Sequence, residues 1–449
     1  MEFAKRAFDH SYHIDPIVRS LLDTDFYKLL MLQLIWKKHY HTRVSFSVTN
    51  RTKSVRLADV IGIDQLRAQL DHVRTLSFRE SELVWLRGQT FYGQRGLFEE
   101  SFMDFLRTFR LPDYSLGLEM VDGEPTGQFD LTFEGTWPQT TLWEIYALEI
   151  VNELRYRSVM RTMNRSQLDI MYARAKVKLY DKLESLTALP ELNLSDFGTR
   201  RRHSFLWQEH CVLTAKEVLG DKFTGTSNAY LAMKHDLEAK GTNAHELPMV
   251  YAALAGKDDE KLRQSQYEVL NQWRSIYKGG LLVMLPDTFG TTQFLEGLSP
   301  VMARTWTGAR PDSKPPIEGG EELVEFWKRM DPGQAHEKLI IFSDGLDVHL
   351  PGHKPNGEDI ATIYRHFDGR VRMGFGWGTN FTCDFVGAHP IDPMAMKSVS
   401  LVCKVKNVEG RSAVKLSDNT EKATGDRVEV ERYIRVFGNK GIGNQSVAV

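Results

Sequence analysis

The sequence predicts an α/β protein in which a large domain of parallel strands and crossover helices is joined to a smaller α+β domain. Its 449 residues are long for one compact domain and normal for two. Two stretches near the N-terminus alternate apolar and polar residues, as half-buried strands do. Farther along, short apolar runs end in polar clusters and are followed by amphipathic helical stretches, which is typical of parallel strands. In such folds the loops at the carboxyl ends of the strands contain the chemical groups.

The smaller domain is predicted to span residues 1–140. Apolar and polar side chains alternate over residues 44–48 and again over 129–133, so each stretch is expected to be a strand with one buried face. Short helical patches lie between them, over residues 66–109. Strands and helical patches in so short a stretch indicate an α+β arrangement.

The larger domain is predicted to span residues 141–390. It opens with apolar residues at helical spacing over 145–154, and a second helical stretch runs over 167–186. Three apolar runs are the predicted strands of its sheet: 281–285, 339–342 and 371–375. The remaining segment, 391–449, returns to alternation over 399–405 and is expected to contain β-structure.

Charge and cysteine content exclude several classes of protein. Lys plus Arg total 57 and Asp plus Glu total 59, so the basic surplus of a nucleic-acid binder is missing. The three cysteines form no CxxC pair, which argues against a disulfide framework and against a zinc site. No apolar run is long enough to span a bilayer, and no secretory signal is expected. We therefore expect a cytoplasmic metabolic enzyme with no nucleic-acid or membrane partner.

One segment with consecutive arginines indicates phosphate binding. Residues 196–202 read Asp-Phe-Gly-Thr-Arg-Arg-Arg. The Thr199 hydroxyl, backbone amides and guanidinium groups such as that of Arg200 could together cradle a phosphate, because arginine forks match phosphate oxygens. A solvated basic turn is an equally good interpretation of this segment.

A glycine-rich segment is a second candidate for phosphate binding. Residues 374–380 read Gly-Phe-Gly-Trp-Gly-Thr-Asn and follow a predicted strand. Backbone amides around Gly376 and Gly378 could point at a phosphate together. The alternative is a turn that makes room for Trp377, and the motif alone is weak evidence.

Acidic residues follow several of the predicted strands. Such carboxylates could hold ribose hydroxyls, bind Mg²⁺ or stabilise positive charge in a transition state. Four lie at such positions: Asp287, Asp312, Asp344 and Asp347. Each one alone is better explained as a helix N-cap. The loop 310–313 is harder to explain in that way, because Arg310, Asp312 and Ser313 place a cation beside an acid and a hydroxyl.

One histidine has a notable setting. His245 lies in the segment 241–246, Gly-Thr-Asn-Ala-His-Glu, next to the carboxylate of Glu246. A histidine in such a loop could act as a base or as a nucleophile. The alternative is a surface histidine at the start of a helix, which is preferred unless other motifs support a site.

Taken together, these motifs resemble those of the nicotinate phosphoribosyltransferase family over most of the chain. Each motif is short, but seven or eight in the right order are specific. The related nicotinamide phosphoribosyltransferases share part of the pattern, and the Gly-Thr-x-Ala-His-Glu form is more similar to the nicotinate enzymes. The matching segments are 22–28, 196–201, 225–228, 241–246, 310–313, 342–347, 374–380 and 413–418.

The resemblance implies a fold and a reaction. The fold would be an irregular TIM-like α/β barrel with an N-terminal α+β domain that the C-terminal segment completes. The reaction would join nicotinate to phosphoribosyl pyrophosphate, giving nicotinate mononucleotide and pyrophosphate, with Mg²⁺ as cofactor and coupled hydrolysis of ATP as co-substrate. A homodimer with shared active sites is implied as well.

The resemblance also implies roles for individual residues. His245 would be phosphorylated by ATP, and Arg310 and Asp312 would act with it in catalysis. Tyr27 would stack on the pyridine ring opposite Phe197 and, with Asp25, would come from a neighbouring subunit. Asp287 would lie near Mg²⁺ and pyrophosphate. The other expected substrate contacts are Thr199, Arg200, Ser227, Ser313, Asp344, Gly376 and Gly378.

One segment departs from the family pattern. The family usually has a glycine and an acid after the Asp-Ser pair, whereas this chain has Lys314 and Pro315. A proline stiffens the loop and a lysine is expected to add charge beside the phosphate.

Three alternative functions remain: an enzyme similar to nicotinamide phosphoribosyltransferase, a relative that binds nucleotides without turnover, and a barrel glycosidase with two carboxylates.

Overall fold

Two large sheets and one two-stranded parallel sheet organise the described residues in a computed structural model, which covers Tyr12 and residues 14–90, 96–352, 357–419 and 422–443. The strands are β1 (Arg43–Asn50), β2 (Tyr114–Val121), β3 (Glu124–Thr136), β4 (Leu194–Asp196), β5 (Phe223–Thr226), β6 (Val283–Met284), β7 (Gly308–Ala309), β8 (Leu339–Phe342), β9 (Leu346–Asp347), β10 (Glu358–Asp359), β11 (Arg372–Trp377), β12 (Leu401–Val408) and β13 (Arg411–Ser412).

Helices cover both large sheets. They are α1 (Phe26–Lys38), α2 (Leu57–Val60), α3 (Ile63–Thr75), α4 (Glu80–Arg87), α5 (Glu100–Thr108), α6 (Trp137–Thr140), α7 (Trp143–Met160), α8 (Arg165–Leu186), α9 (Phe205–Leu219), α10 (Ala229–His235), α11 (Glu246–Leu254), α12 (Asp259–Ile276), α13 (Thr291–Gly297), α14 (Pro300–Thr305), α15 (Pro316–Met330), α16 (Ile360–Phe367), α17 (Thr379–Thr382) and α18 (Arg427–Phe437). No helix of the described residues is long and apolar enough to cross a membrane.

The large domain is built on six parallel strands in the order β5-β4-β11-β8-β7-β6. This order follows the chain around a circle, because β11, the last of these strands, pairs with β4, the first. Residue Ala239 extends the circle beyond β5 through a parallel bridge to Thr226. Between this residue and β6 the described residues show no strand pairing, although Asn243 donates a side-chain hydrogen bond to the Val283 carbonyl at 3.2 Å. The predicted α/β class with parallel strands is confirmed.

The second sheet is antiparallel, with the order β13-β12-β1-β3-β2. Strand β12 comes from the C-terminal segment and pairs with β1 over seven residue pairs, from Val44–Val408 to Asn50–Leu401. The prediction that the C-terminal segment completes the N-terminal domain is therefore confirmed. The proposed boundaries at 140 and 390 stay predictions.

The chain after β13 returns to the barrel. Val414 and Leu416 share a buried apolar cluster with Phe289 and with Phe437 of α18. The Phe289 and Phe437 rings stack with centroids 4.4 Å apart. This packing fixes residues 413–418 against the carboxyl end of β6, where the sequence motifs converge.

Candidate active site

The predicted site residues follow the parallel strands, one loop per strand. Phe197 follows β4, Asp287 follows β6, Arg310 follows β7 and Asp344 follows β8. These carboxyl ends surround a cleft of about 220 Å³. Seven predicted residues line it: Phe197, Arg200, His245, Arg310, Asp312, Asp344 and Gly378. The structure thus brings these side chains together at the carboxyl ends of the strands, and their role in chemistry stays a prediction.

His245 lies at the centre of the cleft, directly before helix α11. Its Nδ1 is 2.9 Å from the Thr288 hydroxyl. Its Nε2 is 3.1 Å from Asp312 Oδ2 and 3.0 Å from Lys415 Nζ. Burial lowers the pKa of His245, Asp287 opposes this effect, and Lys415 reinforces it. The imidazole is therefore neutral at pH 7, and a neutral imidazole has a lone pair for nucleophilic attack.

Arg310 and Asp312 form one hydrogen-bonded unit beside His245. Arg310 Nη1 donates to Asp312 Oδ1 at 2.7 Å and to the Ser343 hydroxyl at 3.1 Å, and Nη2 donates to the Asn243 carbonyl at 3.1 Å. Burial raises the pKa of Asp312, but Arg310 and His245 together hold it well below its usual range. The carboxylate is therefore ionised whenever the enzyme is folded near neutral pH, and it can stabilise positive charge at a bound sugar.

Behind His245 lies a buried acidic pocket that the C-terminal segment closes. Asp287 is fully buried, accepts a hydrogen bond from Ser313 at 2.8 Å, and has Lys415 Nζ at 3.6 Å. The Ser313 hydroxyl also lies 3.3 Å from Asp418, whose pKa is raised to about 6 by burial and by Asp287. Asp287 and Ser313 thus support the cleft from behind and are not among the residues that line it.

One wall of the cleft is strongly cationic, and sequence reasoning missed it. Its side chains come from β1, from the turn after β4 and from the C-terminal segment: Arg51, Arg201, Lys404, Lys415 and Lys422. Lys422 pairs with Asp344. Among the described residues, no carboxylate lies within ion-pair distance of Arg51, Arg201 or Lys404. Guanidinium groups without an ion-pair partner, such as those of Arg51 and Arg201, bind polyphosphates well, because each anionic oxygen replaces lost hydration. Burial and the neighbouring cations Lys415 and Arg51 hold the pKa of Lys404 well below its ordinary value, so Arg51 and Arg201 are the firmer cations of this wall.

The three consecutive arginines do not act together. Arg200 and Arg201 line the cleft, whereas Arg202 is fully buried and forms a bidentate pair with Asp23, at 2.7 and 2.8 Å. The segment 196–202 therefore cannot surround one phosphate with all three of its guanidinium groups. A consecutive run in a 3₁₀ turn points its side chains in different directions, and the third one enters the protein core.

The turn that presents Phe197 is fixed by Asp196. The Asp196 carboxylate accepts hydrogen bonds from the Gly198 amide at 2.7 Å, from Gln208 at 2.8 Å and from Thr226 at 2.7 Å. Thr199 and Ser227 are buried in the same network, 3.4 Å apart. Neither hydroxyl lines the cleft, so their contact with substrate stays a prediction.

Of the three glycines in the 374–380 segment, Gly376 makes room for the Phe197 ring, and none is explained by Trp377. A Cβ atom at Gly376 would lie 2.2 Å from the Phe197 ring, and one at Gly378 would lie 3.5 Å from the Phe197 carbonyl. Trp377 is buried on the opposite side, where its ring stacks on Phe381. Gly378 lines the cleft, while Gly376 lies beneath the aromatic ring.

Asp25 and Tyr27 lie against this chain's own barrel. Ser227 donates to Asp25 Oδ1 at 2.5 Å, and Arg200 Nε is 3.5 Å from Asp25 Oδ2. The Tyr27 ring centroid is 5.9 Å from Arg200 Cζ, and its backbone packs against Gly241. Tyr27 is not among the residues that line the cleft. Its stacking opposite Phe197 and the supply of both residues by a neighbouring subunit stay predictions.

The departure at Lys314 and Pro315 does not alter the cleft wall. Lys314 Nζ pairs with Glu322 and lies 3.3 Å from the Thr292 hydroxyl, so its charge is neutralised away from the cleft. Pro315 is the residue before helix α15, whose first residue is Pro316. The expectation that this lysine adds charge beside the phosphate is therefore wrong. Asp347, another candidate acid from the sequence, is buried against Lys182 and does not line the cleft.

A cleft at the carboxyl ends of a parallel α/β sheet, lined by a histidine and by a wall of basic side chains, is typical of an enzyme that binds a phosphorylated substrate. The model of the nicotinate phosphoribosyltransferase (NAPRTase) family matches residues 192–441 of this chain, and the model of that family's N-terminal domain matches residues 22–152. The chain therefore belongs to the nicotinate phosphoribosyltransferase family.

Solved structures agree with this assignment. Nicotinate phosphoribosyltransferase from Porphyromonas gingivalis is similar at 26% identity, with a TM-score of 0.78 over 94% of this chain and 100% of that one. The Vibrio cholerae enzyme is similar at 28% identity, with a TM-score of 0.79 over 95% of each chain. The family and the enzyme class predicted from the sequence are confirmed, and with them a place in NAD biosynthesis.

Proposed function

We propose that this protein transfers the phosphoribosyl group of phosphoribosyl pyrophosphate to nicotinate, and that ATP drives the reaction by phosphorylating His245. Family membership supports the transfer. The observation that supports the ATP step is the position of His245, with its Nε2 between the Asp312 carboxylate and the Lys415 ammonium at the cationic wall. A γ-phosphoryl group that reaches this nitrogen would meet cations on the side of the leaving ADP.

The transfer itself needs charge stabilisation more than a base. The pyridine nitrogen of nicotinate has a free lone pair, and it attacks C1 of the ribose while the bond from C1 to pyrophosphate oxygen breaks. Positive charge develops at the sugar, where the ionised Asp312 stabilises it. The electron pair leaves with pyrophosphate, whose negative charge the Arg310 fork and the cationic wall stabilise. Phe197 offers the pyridine ring a flat surface, worth about 0.5–1.5 kcal/mol beyond the area buried.

The phosphohistidine step follows from the state of the imidazole. The lone pair of a neutral His245 attacks the γ-phosphorus of ATP, and ADP leaves with the electrons of the broken P–O bond. Thr288 holds Nδ1 in place, so we assign the attack to Nε2, which lies 3.1 Å from Asp312. Lys415, now 3.0 Å from Nε2, would then contact the phosphoryl oxygens. Hydrolysis of this phosphate releases inorganic phosphate and restores the histidine.

Mg²⁺ is part of the proposal, and the acidic residues fit it. The described residues contain no group of three or more His, Cys, Asp or Glu side chains that could hold a metal on their own. Mg²⁺ needs fewer, because it binds through one or two carboxylates plus substrate phosphates and waters. Asp287 Oδ1 is buried and has no hydrogen-bond partner, so it is an available acceptor. Bound there with pyrophosphate, the ion would neutralise charge on the leaving group.

Two further features belong to the proposal. One is a homodimer in which Tyr27 and Asp25 serve the neighbouring site, although the Ser227 contact of Asp25 also supports supply within one chain. The other is a cytoplasmic location, which the three buried cysteines support because none of them forms a disulfide.

The proposal is tested by one assay of the purified protein. Nicotinate and nicotinamide are each mixed with phosphoribosyl pyrophosphate and Mg²⁺, with and without ATP, and mononucleotide and pyrophosphate are both measured. We expect mononucleotide from nicotinate, at a rate that ATP increases. If mononucleotide forms with nicotinamide and not with nicotinate, the chain is a nicotinamide phosphoribosyltransferase. If neither substrate gives mononucleotide, the protein binds nucleotides without turnover. A rate unaffected by ATP would contradict only the phosphohistidine step.

A further inference from the structure

Five charged side chains contact one another in series beside the cleft. They alternate in sign, and we call them the buried charge chain: Asp25, Arg200, Glu144, Lys28 and Glu246. Arg200 lies 3.5 Å from Asp25 and donates to Glu144 at 3.2 Å. Lys28 Nζ lies 2.7 Å from Glu144 Oε2 and also pairs with Glu246. The chemistry proposed above leaves Glu144, Lys28 and Glu246 without a role.

Lys28 is the junction of this chain. Its side chain is completely buried and contacts both carboxylates, on α7 and α11, from its own helix α1. Two buried carboxylates so close together stay ionised only if a cation lies between them. Although burial lowers it, Glu144 and Glu246 hold the pKa of Lys28 above its ordinary value, so the ammonium stays charged.

One end of the chain reaches His245. Glu246 is the next residue and begins helix α11. Besides Lys28, its carboxylate accepts hydrogen bonds from Trp137 Nε1 at 2.5 Å and from the Thr141 hydroxyl at 2.6 Å. These contacts fix the first turn of the helix against residues 137–141. Because the backbone of His245 continues directly into that turn, the imidazole is held at a defined place in the cleft.

From Lys28 in the other direction, the chain passes through Glu144 to Arg200, which lines the cleft beside Phe197. The Arg200 side chain is 43% exposed, so its direction depends on the acids behind it. Glu144 is one of those acids, and it is in turn held by Lys28. Displacement of Lys28 would therefore release the support of both cleft residues at once, although Lys28 itself lines no part of the cleft.

We propose that Lys28 is a positioning residue, which holds His245 through Glu246 and Arg200 through Glu144. The proposal rests on the proposed function, since it assumes phosphorylation of His245 and phosphate binding by Arg200. It also explains why the segments 22–28 and 241–246 occur together, because Lys28 of the first pairs with Glu246 of the second. The alternative is that the ion pairs of Lys28 only stabilise the fold and have no effect on catalysis.

Three substitutions separate these alternatives. Glu246→Gln releases the His245 end, Glu144→Gln releases the Arg200 end, and Lys28→Met releases both. In the two glutamate variants Lys28 keeps one carboxylate partner, so no buried charge is left unpaired. Three quantities are measured: labelling of the protein from γ-³²P-ATP, KM for phosphoribosyl pyrophosphate without ATP, and the melting temperature.

We expect opposite patterns for the two glutamates. Glu246→Gln should slow labelling about ten-fold or more and change KM less, Glu144→Gln should raise KM about ten-fold and change labelling less, and Lys28→Met should do both. Lys28→Arg, whose fork can contact both carboxylates, should keep both values within about three-fold of wild type. The control is Glu153→Gln, a buried glutamate on α7 whose partner Arg157 also contacts Asp15, and it should alter only the melting temperature.

The outcomes are distinct. Folded glutamate variants in which labelling and KM change by the same factor, or not at all, would overturn the positioning role. If Lys28→Met does not fold, the two glutamate variants decide alone, and unchanged labelling in Glu246→Gln would overturn it. Wild-type protein that makes mononucleotide but takes no label would instead refute the ATP step of the proposed function, independently of Lys28.

Discussion

The contact between Gly376 and Phe197 gives a sharp test of how the cleft presents its aromatic ring. A methyl group at residue 376 would lie 2.2 Å from Phe197 Cδ2 and 2.5 Å from Cε2, whereas ordinary contact begins at 3.4 Å. In Gly376→Ala the ring must therefore withdraw by about 1.2 Å. A displacement of about 1 Å at a substrate-positioning group can cost on the order of a hundred-fold in rate. We expect kcat/KM for nicotinate to fall about ten- to a hundred-fold, mainly through KM.

The same strand provides a matched control. A Cβ atom at Gly374 would lie 3.7 Å from Ile341, which is ordinary contact, so Gly374→Ala should retain the kinetics of wild type. Initial rates with nicotinate varied at saturating phosphoribosyl pyrophosphate give KM, and thermal melting confirms that both variants fold. If KM for nicotinate in Gly376→Ala lies within two-fold of that in Gly374→Ala, Phe197 does not contact the pyridine ring and the reasoning fails.

Three further predictions concern the cleft. Arg310→Lys should lower kcat/KM about ten- to a hundred-fold, since each hydrogen bond to a charged group is worth about 1.5–3 kcal/mol. Asp312→Asn should lower kcat more than it raises KM for phosphoribosyl pyrophosphate. Near-normal kinetics for both variants would show that the two residues are structural. The lowered pKa of His245 implies that labelling by ATP persists below pH 6.5 and is lost as the imidazole protonates at lower pH. Lys415→Met should move this loss to higher pH, because a cation that lowers the pKa of His245 is gone. A loss of labelling that is already complete at pH 7 in wild type would contradict the assignment. If sites are shared, co-expressed Tyr27→Ala and His245→Ala chains should regain about a quarter of wild-type activity, because about half of the dimers are mixed and one of the two sites in each mixed dimer is intact. Background activity would show that Tyr27 serves its own chain.

Sequence patterns located the main features of the fold because they depend on local periodicity. The alternation over 44–48 and 129–133 became β1 and β3, and the helical spacing over 145–154 lies within α7. The strand-end rule then placed Asp287 and Asp344 in the loops that follow β6 and β8. These features are encoded within a few residues of one another, so one sequence is sufficient.

Features that depend on long-range contacts could not be predicted in this way. Arg51, Lys404 and Lys422 come from distant parts of the chain. The pairing of β12 with β1 brings Arg51 near Lys404, and Arg51 Nη2 donates to the Lys422 carbonyl at 3.3 Å. Nor does a run of arginines indicate which one turns inward, because that depends on the buried Asp23. Lys314 is similar, since its partner Glu322 lies on the following helix.

The central claim is that His245 is where ATP enters the transfer reaction, and transient labelling tests it most directly. Wild-type protein and His245→Ala are incubated with γ-³²P-ATP, and the acid-labile label is followed before and after addition of nicotinate and phosphoribosyl pyrophosphate. The label should form in wild type, be discharged when both substrates are added, and be missing from His245→Ala, which should keep a slow transfer that ATP does not increase. A label that persists in His245→Ala, or that the substrates fail to discharge, would contradict the claim.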